Sequence, residues 1–321
     1  MTILITGASG FVGQSLQAQL AEKSYSYKAV FRKLPSVSDE DAIAVGSIDA
    51  STDWSAALQG IGVVVHLAAR AHIMKDKVTE SIAEYRRVNT DGALNLARQS
   101  ASAGVKRFIF ISSIKVNGET TSGASAFTEQ HSPLTQDAYG ISKKEAEDGL
   151  REIALETAME VVIIRPPLVY GANVKANFLN LMKLTDTKIP LPFSMIKNMR
   201  SMVYVENLVD FIITCIEHPR AANQTYLISD GTDLSLPVLI KTIRSSLGRP
   251  ERLFPIPKFC FCFVGAVIRK SSIVDRLIGD LQVDSSKAVK TLSWKPPYTF
   301  QQGIDATVAA YIEDKRSGGN R

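Results

Sequence analysis

Hydrophobic positions in the first half of the chain alternate between two textures. Short runs rich in β-branched and aromatic residues predict strands over Thr2–Thr6, Ser26–Arg32, Val63–Leu67, Lys106–Ser112 and Glu160–Arg165. Between them, apolar residues at helical spacing predict helices over Phe11–Glu22 (Phe11, Leu16, Leu20), Ile82–Ala103 and Asp137–Ala158. Val63-Val64-Val65 and Phe108-Ile109-Phe110-Ile111 are apolar without a break. Strands buried on both faces read this way, and they belong to parallel sheets flanked by helices. Repeated β–α–β units with right-handed crossovers predict an α/β fold of the doubly wound, Rossmann type.

After Arg165 the texture changes. Pro166, Pro167, Pro190 and Pro192 interrupt the chain, and Met202–Val205 followed by a helix over Glu206–Glu217 reads as a return to the sheet. Later helices are expected over Ser235–Leu247, Pro257–Ile268 and Phe300–Glu313, with few strands. The expected division is a sheet domain of residues 1–170 and 201–229, a smaller, mostly helical lobe of 171–200 and 230–315, and a flexible tail, 316–321. The apolar stretch Phe259–Ile268 is too short to span a bilayer, which takes ~20 residues. Its neighbours Lys258, Arg269 and Lys270 would allow peripheral membrane contact, but a lobe helix packed on the core is the favoured expectation.

Composition narrows the classes. Apolar residues at 45% and charged residues at 21% exclude a disordered tail protein and a multi-span membrane protein. A net charge of +5, from 37 basic and 32 acidic residues, suits an anionic small molecule and lacks the dense basic face that nucleic acid demands. Three cysteines without C-x-x-C or Cys/His zinc spacing point to neither a disulfide framework nor a structural metal. The N-terminus has no signal-peptide pattern, so cytoplasmic residence is expected.

Thr6-Gly7-Ala8-Ser9-Gly10-Phe11-Val12-Gly13 follows the first strand and opens the first helix. There Gly7 permits a tight turn, Gly10 lets backbone approach a pyrophosphate, and Gly13 lets helix and strand pack closely. The helix start, with Phe11 and Val12, offers free N–H groups and a positive dipole end to phosphates. A carboxylate at the end of the second strand would hold a ribose 2′-hydroxyl; here stand Arg32 and Lys33. Arg32 suits a 2′-phosphate, so NADP(H) is expected over NAD(H).

Tyr139-Gly140-Ile141-Ser142-Lys143 lies at a helix start with Asp137 as N-cap. Tyrosine and lysine four apart share a helical face, and an ammonium beside a phenol lowers its pKa toward neutrality. Such a phenol exchanges a proton with a substrate oxygen while hydride moves. Ser112-Ser113 closes the preceding strand at the sheet edge where α/β folds bind ligands, and a hydroxyl there can hold the reacting oxygen.

These motifs, with His66-Leu67-Ala68-Ala69, Val88-Asn89-Thr90-Asp91-Gly92 and Arg165-Pro166-Pro167-Leu168-Val169-Tyr170-Gly171, resemble the extended short-chain dehydrogenases/reductases of the nucleotide-sugar epimerase/dehydratase group. The resemblance runs from Thr2 to about Tyr311. It implies Ser113, Tyr139 and Lys143 as the catalytic residues, with Lys143 also on the nicotinamide ribose. It places Leu67 and Ala68 under the cofactor, Asn89 near it and Pro166 at its carboxamide. It assigns the substrate diphosphate to Asn177, in the loop after the sixth strand, to Arg200 and to Arg276. A homodimer through Ile82–Ala103 and Asp137–Ala158 is implied as well.

The sequence departs from the sugar-nucleotide dehydratases where their Asp-Glu pair would stand, since Ile114 and Lys115 occupy those positions. Elimination of water is therefore not expected. Ser112–Gly118 resembles bacterial surface-polysaccharide enzymes. The leading expectation is a UDP-4-keto-6-deoxy-sugar 4-reductase; the alternative is a UDP-sugar 4-epimerase, and the remote one a non-catalytic NADP(H)-sensing regulator.

Overall fold

The computed structural model describes residues 1–34, 41–70, 78–131, 135–267 and 271–318. Its order is β1 (Thr2–Thr6), α1 (Phe11–Glu22), β2 (Tyr27–Phe31), β3 (Ala42–Ala44), β4 (Ile61–His66), α2 (Val78–Tyr85), α3 (Gly92–Ser102), β5 (Arg107–Ile111), α4 (Ala138–Glu156) and β6 (Glu160–Arg165). There follow β7 (Leu168–Tyr170), α5 (Ala176–Thr185), β8 (Met202–Tyr204), α6 (Val205–Glu217), β9 (Thr225–Leu227), α7 (Leu236–Ser246), α8 (Lys258–Val267), α9 (Ser271–Ile278), α10 (Ser286–Leu292) and α11 (Phe300–Arg316). Seven parallel strands in the order β3-β2-β1-β4-β5-β6-β9 form the main sheet.

The unbroken apolar runs explain this sheet. Val63 and Val65 enter one core with Ile109 and the α6 residues Phe211 and Ile212, while Val64 enters the opposite core with Phe108, Phe110, Trp54 and Leu96. Successive side chains point to opposite faces, so a strand covered on both sides must be apolar throughout. From β1 the chain winds one way to β2 and β3, and from β4 the other way. The β1/β4 boundary is thus the switch point, whose C-terminal crevice binds ligands in folds of this kind.

Several sequence-based expectations change. Met202–Tyr204 does not rejoin the main sheet: it pairs with β7 in a separate two-stranded parallel sheet, and β9 takes the place beside β6. Tyr170 and Tyr204 explain the departure, because their rings pack with Phe178 and Phe300 in the core of the lobe. The helix expected over Ile82–Ala103 is interrupted by a π turn, Arg86–Asp91, before α3 resumes at Gly92. Asn89 and Thr90 in that turn bond across to Ser142 of α4. Gly92 is required there, since a Cβ would sit 2.8 Å from Ile48 Cγ2. Helix α11 extends through Arg316, shortening the expected tail, and residues 319–321 lie outside the described part. Ile268, Arg269 and Lys270 also lie outside it. Among the described residues no helix is long and apolar enough to cross a membrane.

Candidate active site

The glycine turn after β1 is sterically compulsory. Gly7 has a φ of +73°, and a Cβ there would lie 2.7 Å from the Ala68 nitrogen; one on Gly13 would lie 2.3 Å from the Gly7 carbonyl oxygen. No side chain caps α1 at Gly10, so the first-turn N–H groups remain available to an anion. The crevice above β1 and β4 encloses about 630 Å³ and is lined by Gly7, Gly10, Arg32, Leu67, Ala68 and Arg87, among others. Its volume, glycine cradle and uncapped helix start fit a nicotinamide dinucleotide. Two loops are tied beneath it: Thr6 Oγ1 lies 2.8 Å from His66 Nδ1 and accepts the Ala68 N–H at 3.4 Å. Burial and the Lys143 charge push the His66 pKa down to about 3, so the ring is neutral.

Phe11, by contrast, turns its ring toward the lobe cluster around Tyr170, with Val12 partly buried beside it. Asn89 is fully buried and holds the Arg70 backbone, accepting its N–H at 2.8 Å and donating to its carbonyl at 3.1 Å. The Pro166 carbonyl accepts the Ile114 N–H at 3.0 Å, joining the end of β6 to the serine turn. Sequence spacing does not find Ser47, Ile48, Arg70 or Arg87, which also line the crevice. They come from separate segments with no shared motif.

At the end of β5, Ser113 caps a short 3-10 turn, its Oγ accepting the Lys115 N–H at 3.2 Å. Asp137 caps α4 by accepting the Gly140 N–H at 3.0 Å. A Cβ on Gly140 would sit 2.9 Å from the Lys115 carbonyl oxygen, so the α4 start packs directly on the serine turn. Tyr139 and Lys143 then face the same side, one turn apart.

The Lys143 ammonium does not lower the Tyr139 pKa as expected. Its Nζ donates to the Ile111 carbonyl at 2.8 Å and lies 4.3 Å from the Phe110 ring centre. Burial lowers the lysine to about 7, opposed by Glu147. The phenol is instead raised above its ordinary value by burial and by Asp137 and Tyr85. A carbonyl has captured the cation that the sequence spacing assigns to the phenol. Lys115 Nζ, ion-paired with Asp137 at 3.1 Å, is 5.8 Å from the Tyr139 ring centre.

Beneath these residues runs a buried polar network that motif spacing does not reveal. Glu147, one turn beyond Lys143, accepts from Ser112 Oγ at 2.5 Å and from Arg165 Nε at 2.8 Å. Arg165 Nη1 donates to Asn117 at 2.9 Å. A carboxylate on the apolar face of an amphipathic helix was the available sequence signal.

A second pocket, of about 80 Å³, lies in the lobe and is lined by Asn177, Arg200 and Arg276 with Leu168, Met202 and Leu234, among others. Asn177 stands in the first turn of α5 rather than in a loop. Arg200 Nη1 donates to the carbonyls of Arg276 at 2.9 Å and Gly279 at 3.1 Å, and burial lowers its pKa.

Residues 3–229 match the model of the NAD dependent epimerase/dehydratase family. A UDP-glucose 4-epimerase of Vibrio cholerae is 49% identical over 97% of this chain and 96% of that protein. An N-acetyl-alpha-D-glucosaminyl-diphospho-ditrans,octacis-undecaprenol 4-epimerase of Escherichia coli O157:H7 is 30% identical over 95% of this chain and 94% of its own. The structure of UDP-glucuronic acid 4-epimerase from Bacillus cereus in complex with NAD superposes with a TM-score of 0.76 at 21% identity, covering 98% of this chain and 99% of that one. At that identity the likeness speaks for the fold.

Proposed function

Since the chain belongs to the NAD dependent epimerase/dehydratase family, we propose that it is a 4-epimerase of a UDP-hexose, of the UDP-glucose or UDP-N-acetylglucosamine type. The observation that carries this reading is the 49% identity to a UDP-glucose 4-epimerase across nearly both full lengths. It favours inversion at C4 over the reduction expected from the sequence. Bound in the β1–β4 crevice, the nicotinamide supplies a hydride acceptor and donor for C4.

In this reading Gly7, Gly10, Phe11, Val12 and Gly13 present the turn and helix start to the pyrophosphate. Leu67 and Ala68 line the wall along the dinucleotide, Asn89 lies near it behind the Arg70 backbone, and Pro166 meets its carboxamide. Tyr139 takes and returns the proton of the C4 oxygen, and Ser113 donates a hydrogen bond that holds that oxygen against the phenol. Lys143 binds the nicotinamide ribose. Asn177, Arg200 and Arg276 take the UDP diphosphate, which their shared pocket supports. The family reading also carries a homodimer through Ile82–Ala103 and Asp137–Ala158; Leu155 of α4 is 88% exposed, which suits burial against a second copy.

One observation favours a second reading. Arg32 lines the crevice at the place where a ribose-binding carboxylate would indicate NAD. A preference for NADP(H) would suit a 4-keto-sugar reductase, which releases its oxidised cofactor each turnover.

The test is to purify the protein, identify the retained dinucleotide by mass spectrometry, and incubate with UDP-glucose and UDP-N-acetylglucosamine without added cofactor. C4 inversion followed by NMR is the expected result. No inversion, with NADPH consumed only on a UDP-4-keto-6-deoxy sugar, establishes the reductase instead.

A further inference from the structure

Helix α8 turns its apolar side outward. Phe259, Phe263, Val264 and Val267 are 71%, 69%, 53% and 66% exposed. Among the described residues its packed face is narrow: Phe261 stacks on Phe193 at 5.4 Å, and Gly265 is buried against Val274 of α9. Among the described residues, the expected lobe helix is therefore anchored on one side and exposed on the other.

The neighbouring segments add exposed apolar side chains. Backbone hydrogen bonds from Leu191 to Arg252 and from Phe254 to Leu191, both 3.0 Å, hold residues 188–197 beside 252–254. Ile189, Met195 and Phe254 of these two segments are exposed as well. Over residues 188–198 and 251–267 the charged side chains are Lys188, Lys197, Arg252 and Lys258 against the single carboxylate Glu251, all exposed, and α9 adds exposed Asp275. Apolar side chains flanked by an excess of cations over carboxylates complement an anionic lipid surface.

We propose that this face docks in the plane of an anionic bilayer, with the rings of α8 at the headgroup–acyl boundary and Lys258 and the neighbouring cations drawn to lipid phosphates. The helix is ~15 Å long, half of what a span requires, so it lies along the surface. A second copy of the chain is the poorer occupant. Its cationic side chains would face their own copies across a two-fold axis, and like charges brought together oppose association. Helix α9, which carries Arg276 and Leu277 to the lobe pocket, packs directly on α8 at Gly265. Docking would thus hold that pocket close to the lipid surface. The inference does not depend on which C4 reaction is catalysed.

Co-sedimentation with phosphatidylcholine vesicles, with and without phosphatidylglycerol, tests it on the full-length protein. Wild type should bind phosphatidylglycerol vesicles at least about ten-fold more than the Phe259→Ser/Phe263→Ser/Val267→Ser variant, and binding should weaken with salt. The variant should keep its unfolding midpoint and its activity on soluble UDP-sugar. In a Cys260→Ser background, a polarity-sensitive fluorophore on exposed Cys262 should shift to the blue when vesicles are added; Cys215 is buried. Equal binding by the variant, no binding by wild type, or a wild-type oligomer that the triple variant dissociates would each overturn the proposal.

Discussion

Glu147 and Arg165 meet in a two-pronged ion pair, Oε1 to Nε at 2.8 Å and Oε2 to Nη2 at 2.5 Å, with the two side chains 0% and 4% exposed. The pair joins α4 to the end of β6, and Glu147 also accepts from Ser112 beside Ser113. Removing one partner of such a pair strands the other charge out of water. Glu147→Gln should therefore lose about 3–5 kcal/mol of stability. Urea unfolding checks this; a loss under about 1 kcal/mol, within reach of an ordinary surface change, would remove the network from any structural role.

Tyr139 is the group proposed to move the proton at C4. Tyr139→Phe removes one oxygen and leaves the ring against Tyr85. The turnover rate should fall about 10²–10⁴-fold while the retained dinucleotide stays at wild-type level. Stopped-assay kinetics and absorbance of the bound cofactor measure the two separately.

His66 makes the protein acid-sensitive. Its pKa of about 3 lies below the ordinary 6.5 of an unfolded imidazole. Between those values the unfolded chain binds more protons than the folded one, so the His66 contribution is present above about pH 6.5 and is lost as pH falls toward 3. Thermal midpoints across pH 4–7 should fall more steeply in wild type than in His66→Gln, which cannot titrate there.

Arg32 is proposed to choose the cofactor. Arg32→Ser should weaken NADP(H) binding by about 10–100-fold and leave NAD(H) nearly unchanged, because only the 2′-phosphate loses a charge-assisted hydrogen bond. Fluorescence titration of the cofactor-stripped protein reads both constants. Unchanged NADP(H) affinity would mean that the guanidinium is simply hydrated.

Arg276 lines the lobe pocket and is exposed, so its loss should leave the fold intact. Arg276→Ala should raise the Kd for UDP about ten-fold, a charge-assisted hydrogen bond being worth about 1.5–3 kcal/mol. Arg200→Ala should weaken UDP binding and also lower the unfolding midpoint, since Arg200 ties the carbonyls of Arg276 and Gly279. Calorimetric titration with UDP separates the two effects.

By itself the sequence determined the parallel sheet, the glycine turn and the pairing of Tyr139 with Lys143 on one helix. Those features are local: buried strands must be apolar on both faces, close approaches need glycine, and residues four apart share a helical side. What motif spacing could not supply depends on contacts between distant segments. The Ile111 carbonyl captures the Lys143 ammonium, Ser47, Arg70 and Arg87 gather around the crevice, and β8 leaves the main sheet for the aromatic core of the lobe. Where a charge goes, and how far a phenol is dehydrated, is settled by the three-dimensional surroundings that remove water and supply partners, and no spacing along the chain encodes them.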